Sequence, residues 1–306
     1  MDKIQNVSLI GLGAIGAAYA SRLYDLDPTC IRVIADDERI ARYQTRPVVV
    51  NGREYEFTYV SPNEETEPAD LVVIAVKYDG LAQALVDIRR HVGPNTIILS
   101  LLNGISSEEM IAQVYGEENL LYAICVAIDA LRTESAVAFS SIGRICFGEL
   151  RNTTHSRNVQ LVKDLFDRAN IPYEIPEDMQ RTMWWKFMIN VGVNQTSAVL
   201  RAPYGVFQKV EEAHELMVRA MQEVILVSER AQIHLTQDDL RAFDAILADL
   251  APDGKTSMLQ DIEAGRKTEV EYLAGKVREL GKQYGVATPV NDMLYPLIRA
   301  IEAMNA

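Results

Sequence analysis

The chain has 306 residues, 48% of them hydrophobic and 24% charged, with a formal net charge of −13 at pH 7. That length suits two domains with enough core to fold without disulfide or metal staples. The acidic balance argues against nucleic acid or an anionic membrane surface as partner, and no apolar run approaches the ~18 residues that span a bilayer. No basic-then-apolar leader precedes the first strand, so a cytoplasmic location is expected. Cys30, Cys125 and Cys146 lie in apolar segments without paired spacing, as reduced buried thiols do. His91, His155, His214 and His234 are scattered without metal-ligand spacing, and no metal site is expected.

The first half alternates strand and helix. Val7–Ile10, Ile31–Ala35, Leu71–Val76 and Thr96–Leu101 are compact apolar runs suited to a buried parallel sheet. Between the first two stands Gly11-Leu12-Gly13-Ala14-Ile15-Gly16, opening a helix over Ala14–Leu26. In such a turn Gly11 permits the sharp reversal, Gly13 lets backbone approach a pyrophosphate, and Gly16 lets the helix pack on the sheet. The helix N-terminus then offers free N–H groups and a positive dipole end to the anion. Helices are expected over Glu38–Gln44 and Gly80–Arg90, and a hairpin around Asn51-Gly52 that decorates the sheet edge. Longer strands fill Leu120–Leu150, followed by a helix over Arg157–Ala169 and a short strand at Tyr173–Ile175.

From Asp178 the pattern is helical, with long periodic segments at Arg181–Leu200, Val210–Ala231, Thr236–Leu250, Ser257–Leu280 and Asn291–Asn305. The fold class is therefore α/β: a Rossmann-type doubly wound sheet followed by an all-helical C-terminal domain. The expected division is a dinucleotide-binding domain over residues 1–177 and a helical substrate-binding and catalytic domain over 178–306.

Which dinucleotide binds is left open by the residues alone. Asp36 stands 20 residues beyond Gly16, where a carboxylate reads a ribose 2′-hydroxyl, and favours NAD. Arg39, Arg42 and Lys77 could instead neutralise a 2′-phosphate. Asp36 or Asp37 could also serve only as a helix N-cap.

In the helical half, Lys186, Asn190 and Asn194 are spaced four residues apart, which on an α-helix stacks them along one face. Their neighbours Phe187, Met188, Ile189, Val191 and Val193 are apolar, so the polar strip crosses a core-like surface and is costly to bury without partners. A lysine there can serve as proton donor. The competing interpretation is a snorkelling lysine with asparagines satisfied by backbone. Further on, Ser257 followed by Gln260 fits a helix capping box. Its hydroxyl is also placed for a substrate carboxylate, whereas Glu269 alone reads as a surface glutamate.

Together these segments resemble the ketopantoate reductases (2-dehydropantoate 2-reductases). The resemblance spans nearly the whole chain and rests on Gly11-Leu-Gly13-Ala-Ile-Gly16, Val76-Lys77, Leu102-Asn103-Gly104, Trp185-Lys186-x-x-x-Asn190-x-x-x-Asn194, Ser257-Met-Leu-Gln-Asp261 and Arg266-Lys-Thr-Glu269. It implies reduction of 2-dehydropantoate to (R)-pantoate, a step of pantothenate biosynthesis, with NADP as cofactor and NAD admitted by Asp36. It also implies Lys186 as general acid and Glu269 as the active-site carboxylate that positions it. Asn190, Asn194 and Ser257 then bind substrate, while Lys77 and Asn103 contact the cofactor with Gly11 to Gly16 and Asp36. The chain departs from the family at Asp36, where well-studied members carry arginine, and at Gly254, where they often carry asparagine.

The expected partner is a small 2-oxo acid, with a homodimer left open. Two other functions compete. A hydroxyacid dehydrogenase of the 3-hydroxyisobutyrate or 6-phosphogluconate type shares the lysine and asparagine but does not predict the Ser257 cluster. A dinucleotide-sensing protein has no need of a proton donor.

Overall fold

Short runs of branched apolar residues make the first half of the chain a buried sheet. In the computed structural model, which describes residues 3–133 and 136–305, β1 (Val7–Ile10) leads to α1 (Ala14–Leu26), β2 (Ile31–Ile34) and α2 (Asp37–Thr45). Then come β3 (Val48–Val50), β4 (Arg53–Tyr55), β5 (Thr58–Val60), β6 (Leu71–Ile74), α3 (Tyr78–Asp87) and β7 (Ile97–Ser100). After them follow α4 (Ser107–Tyr115), β8 (Leu120–Ile128), β9 (Leu131–Thr133), β10 (Ala136–Ala138) and β11 (Ile142–Gly148). The last elements of this half are α5 (Arg157–Arg168) and β12 (Tyr173–Glu174). Glu134 and Ser135, within the stretch expected to hold longer strands, lie outside the described residues.

The chain divides into two compact units, Met1–Met179 and Gln180–Ala306. In the first, eight strands lie in the order β12-β11-β8-β7-β6-β1-β2-β5. The chain runs outward from β1 through β2 to β5, then returns to the other side of β1 and builds β6, β7 and β8. Right-handed crossovers in the two directions put helices on opposite faces, which is the doubly wound arrangement. The strand order reverses between β1 and β6, whose register sets Ile10 beside Ile74. Their side chains are fully or almost fully buried, which is why these strands are apolar at every position but Ser8.

The Asn51-Gly52 hairpin forms as expected, with Asn51 at φ 48° and Gly52 at φ 81°. That left-handed pair matches the twist of the flanking strands. It does not decorate the edge of the large sheet. Instead β3 and β4 join β10 and β9 in a separate four-stranded sheet, with β3 parallel to β10. The edge of the large sheet is β5, which pairs with β2.

The second unit is helical: α6 (Met179–Ile189, whose first residue is the last of the first unit), a π-helical turn at Asn190–Asn194, α7 (Gln195–Leu200), α8 (Tyr204–Lys209) and α9 (Glu211–Arg230). Its remaining helices are α10 (Gln237–Asp249), α11 (Ser257–Glu263), α12 (Ala274–Tyr284) and α13 (Pro289–Asn305). Two expected helices are therefore interrupted. Arg181–Leu200 is broken by the π turn. Ser257–Leu280 stops at Gly265, where φ is +64° and the Gly265 and Arg266 N–H groups return to the Ile262 and Asp261 carbonyls. That pair of bonds is the Schellman termination, and it needs a left-handed residue. Among the described residues no helix is long and apolar enough to cross a membrane. Cys30, Cys125 and Cys146 are buried and none is in a disulfide.

One buried base lies near the amino end of β1. The Ser8 hydroxyl sits 3.2 Å from His91 Nδ1 and receives a 2.7 Å bond from Arg32 Nε. Burial, aided by the Arg32 cation, pushes the imidazole down to about 4. The folded protein thus holds His91 neutral while the unfolded chain protonates it near pH ~6.5. Its contribution to stability is full above that value and is lost as pH falls towards 4. Urea unfolding from pH 7 to pH 4 should show this loss, and His91→Gln should flatten it. Parallel profiles for the two proteins would show that His91 does not carry it.

Candidate active site

At the reversal of strand order, backbone approaches backbone so closely that side chains are excluded. Gly11 has φ +101°, and a Cβ there would lie 2.5 Å from the Ala75 carbonyl oxygen. A Cβ on Gly16 would lie 1.9 Å from the Gly11 oxygen. Both glycines are therefore required by the protein's own packing. Gly13 is different: its nearest neighbour would be the Ala75 oxygen at 3.9 Å, an ordinary contact. Nothing in the fold forbids a side chain at Gly13, and the space a Cβ would fill is what a closely approaching phosphate needs. Helix α1 starts there with Gly13 as N-cap, no side-chain cap and no acidic residue in its first turn. Leu12 is buried, and Ala14 and Ile15 are half-buried beside it. These features fit a dinucleotide pyrophosphate on backbone N–H groups.

The other expected cofactor residues follow the carboxyl ends of neighbouring strands. Asp36 comes after β2, Lys77 after β6 and Asn103 after β7, each strand adjacent to the next across β1. Lys77 is exposed and is the N-cap residue of α3. Asp36 is the N-cap of α2: its Oδ1 accepts from the Arg39 N–H at 2.7 Å, with the Arg39 guanidinium 3.5 Å from Oδ2. The capping role weighed from the sequence is thus real. More than half of the carboxylate surface stays exposed.

Asn103 is half-buried in the turn closed by Gly104, at φ +86°. Beneath it is a buried polar cluster that sequence reasoning did not single out. The Ser100 and Ser107 hydroxyls are 2.8 Å apart, and Ser107 donates to Glu108 at 2.9 Å. Tyr78 OH accepts from the Ser106 N–H at 3.4 Å. Burial pushes the Glu108 carboxyl up to about 7. The available signal was the Ser106-Ser107-Glu108 run directly after an Asn-Gly turn.

In the helical unit, Lys186 is half-buried on α6 while Asn190 and Asn194 are each only 8% exposed. The π turn changes how these three relate. In a continuous α-helix, steps of four residues drift by about 40° each, so Asn194 would stand roughly 80° around from Lys186. In the wider turn, at roughly 4.4 residues per revolution, the second step falls about 30° short of a full turn, which offsets most of the first step and brings Asn194 back towards the line of Lys186. Asn194 Nδ2 then reaches the Ser257 hydroxyl at 3.5 Å.

The cap of α11 is not Ser257. Thr256 is the N-cap: its hydroxyl accepts from the Leu259 N–H at 3.1 Å and donates to the Ser197 hydroxyl at 3.1 Å. The expected capping box is absent, because Gln260 turns to the Lys255 carbonyl at 3.1 Å. Ser257 is left exposed, its hydroxyl no longer needed by the helix. Glu269 is half-buried, between Thr268, anchored through two bonds to Glu302, and the turn Val270–Tyr272.

Both halves of the chain match known proteins. A family model described as Ketopantoate reductase PanE/ApbA matches residues 7–152, and one for the C-terminal part of that family matches residues 178–302. A curated 2-dehydropantoate 2-reductase from Streptococcus pyogenes serotype M6 is 26% identical over 302 residues, covering 97% of this chain and 98% of its own. The fold is similar to D-mandelate dehydrogenase in a ternary structure with NADH and anilino(oxo)acetate, at TM-score 0.87 and 24% identity over 98% of this chain and 99% of that one. It is also similar to a dimeric ketopantoate reductase from Staphylococcus aureus, at TM-score 0.84 and 18% identity over 98% and 100% of the two chains.

The capping assignment separates two adjacent hydroxyls. Thr256→Ala should lower unfolding stability by about 1 kcal/mol, whereas Ser257→Ala should stay within about 0.5 kcal/mol of the unmodified protein. Urea titration of both variants checks this, and the reverse order would return the cap to Ser257.

Proposed function

The chain belongs to the ketopantoate reductase family of oxidoreductases, and from that premise we propose that it reduces a 2-oxo acid to the 2-hydroxy acid with a nicotinamide dinucleotide. The first candidate substrate is 2-dehydropantoate, giving (R)-pantoate, and the first candidate cofactor is NADPH. One observation carries this reading: a half-buried lysine and two buried carboxamides among the apolar residues Phe187, Met188, Ile189, Val191 and Val193, with the last amide at the Ser257 hydroxyl. The Asn194 amide and the exposed Ser257 hydroxyl stand together as polar groups to which an anionic 2-oxo acid can bond.

The bound nicotinamide supplies a hydride to the 2-oxo carbon. As that C–H bond forms, the carbonyl π pair withdraws onto oxygen, where Lys186 stabilises the developing charge. Lys186 then transfers a proton from Nζ to this oxygen, giving the hydroxyl, and the neutral amine regains a proton from water. Glu269 favours the ammonium form and orients it. Ser257 and Asn194 hold the substrate carboxylate, and Asn190 fixes the substrate against rotation, so the reacting group is positioned before chemistry. In the nucleotide-binding unit, N–H groups of the Gly11–Gly16 turn receive the pyrophosphate and Asp36 meets the adenosine ribose. Lys77 would contact the bound cofactor, and Asn103 would serve the nicotinamide end. With a net charge of −13, binding two anions depends on such local donors.

A second reading, NADH with a bulkier 2-oxo acid, is favoured by the exposed Asp36 carboxylate. The likeness to an NADH-bound D-mandelate dehydrogenase points the same way.

Steady-state oxidation of NADPH and NADH against 2-dehydropantoate, phenylglyoxylate and other 2-oxo acids distinguishes the two. Turnover with 2-dehydropantoate and NADPH is expected, with Lys186→Ala lowering kcat by about 10²–10⁴-fold and leaving cofactor affinity unchanged. Undiminished turnover in Lys186→Ala would remove the proton donor, and failure of every 2-oxo acid would remove the reductase reading.

A further inference from the structure

A π turn leaves carbonyl groups without their usual α-helical partners, and a buried one needs other donors. Here two side chains of the following helix bond to carbonyls of the turn, the Gly192 carbonyl also accepting the Gln195 backbone N–H. Gln195 Nε2 donates to the Val191 carbonyl at 2.7 Å, and the Thr196 hydroxyl donates to the Gly192 carbonyl at 2.8 Å. Gln195 is fully buried and both its amide atoms are engaged: Nε2 also donates to Asn291 Oδ1 at 3.1 Å, and Oε1 accepts from the Ala274 N–H at 2.9 Å.

The chain of bonds continues inward. Asn291, also fully buried, donates through Nδ2 to Glu223 Oε2 at 2.7 Å. The Glu223 carboxylate accepts from the Val290 and Asn291 N–H groups at 2.7 and 3.0 Å, capping the N-terminus of α13 from α9. A carboxylate on α9 and a helix end on α13 thereby fix the rotamer of Asn291, and Asn291 fixes that of Gln195. A network satisfied at each of these positions holds one geometry and is costly to disturb. On the other side of the turn, a Cβ on Gly192 would lie 2.3 Å from Met221 Cγ, so α9 packs directly against the π-turn backbone.

We propose that Gln195, held by Asn291 and Glu223, is a positioning residue that keeps the helix in its π form after Asn190 and so returns Asn194 towards the line of Lys186. This rests on the 2-oxo acid reading of those two amides. Gln195 itself touches no reacting atom. Its role is exerted through Val191, one residue after Asn190 and three before Asn194.

Two variants test this. Gln195→Met removes every polar bond at similar volume, and Gln195→Glu keeps an acceptor for the Ala274 N–H while losing the donor to Val191. Both should raise the KM for the 2-oxo acid at least about tenfold, since small misplacements of binding groups are costly, with the dissociation constant for NADPH unchanged. Hydrogen exchange of the peptide spanning Asn190–Asn194 should quicken in both proteins, a readout independent of turnover. Unchanged exchange in the two variants would overturn the proposal. So would a wild-type KM, even with lowered thermal stability, because a merely structural role predicts that pattern. Quickened exchange in a protein that turns over no 2-oxo acid would instead count against the proposed function and keep the buttress.

Discussion

Four residues of α-helix overshoot one full turn by about 40°, so polar groups repeated at that spacing wind around the helix rather than line up. The helical unit departs from α geometry at Asn190–Asn194, and the proposed alignment of Asn194 with Lys186 depends on that departure. The cost is a turn whose backbone is out of phase with its neighbours. It is offset by the Gln195 and Thr196 side chains, by the closeness of α9 at Gly192, and by the bond chain ending on Glu223. π turns inside helices concentrate at functional sites, and the physical reason is visible here: a local change of pitch re-aims side chains without moving either helix end.

The nucleotide-binding unit shows a second kind of constraint, between backbones. Gly11 and Gly16 are demanded by the Ala75 and Gly11 carbonyls, while Gly13 is demanded by nothing in the protein. That contrast separates the glycines that build the turn from the one proposed to leave room for a ligand. Asp36, Lys77 and Asn103 gain their relevance from topology, since each follows the carboxyl end of a strand near the place where strand order reverses.

Much of this was legible in the chain itself. Strands β1, β2, β6 and β7 announce themselves because a strand buried on both faces must be apolar at successive positions, and α1 follows its glycine turn as expected. The Asn51-Gly52 turn was legible for its left-handed backbone, but the partner sheet was not, because pairing of β3 with β10 joins residues far apart in sequence. The π turn was hidden for a different reason. Over a single revolution, apolar spacing does not distinguish 3.6 from roughly 4.4 residues per turn. Thr256 and Ser257 are both good caps, and only the Ser197 hydroxyl, reached in the fold, decides between them. Glu269 carried no local signal and was brought forward by family resemblance alone.

The central claim is that one ammonium group, Lys186, delivers the proton that completes reduction. Chemical rescue addresses it directly: small primary ammonium ions of graded acidity are added to Lys186→Ala, and turnover of the 2-oxo acid is followed. Turnover is predicted to return in proportion to ammonium concentration and to vary with the acidity of the ion. A variant that binds cofactor and 2-oxo acid normally yet is restored by no amine would contradict the claim.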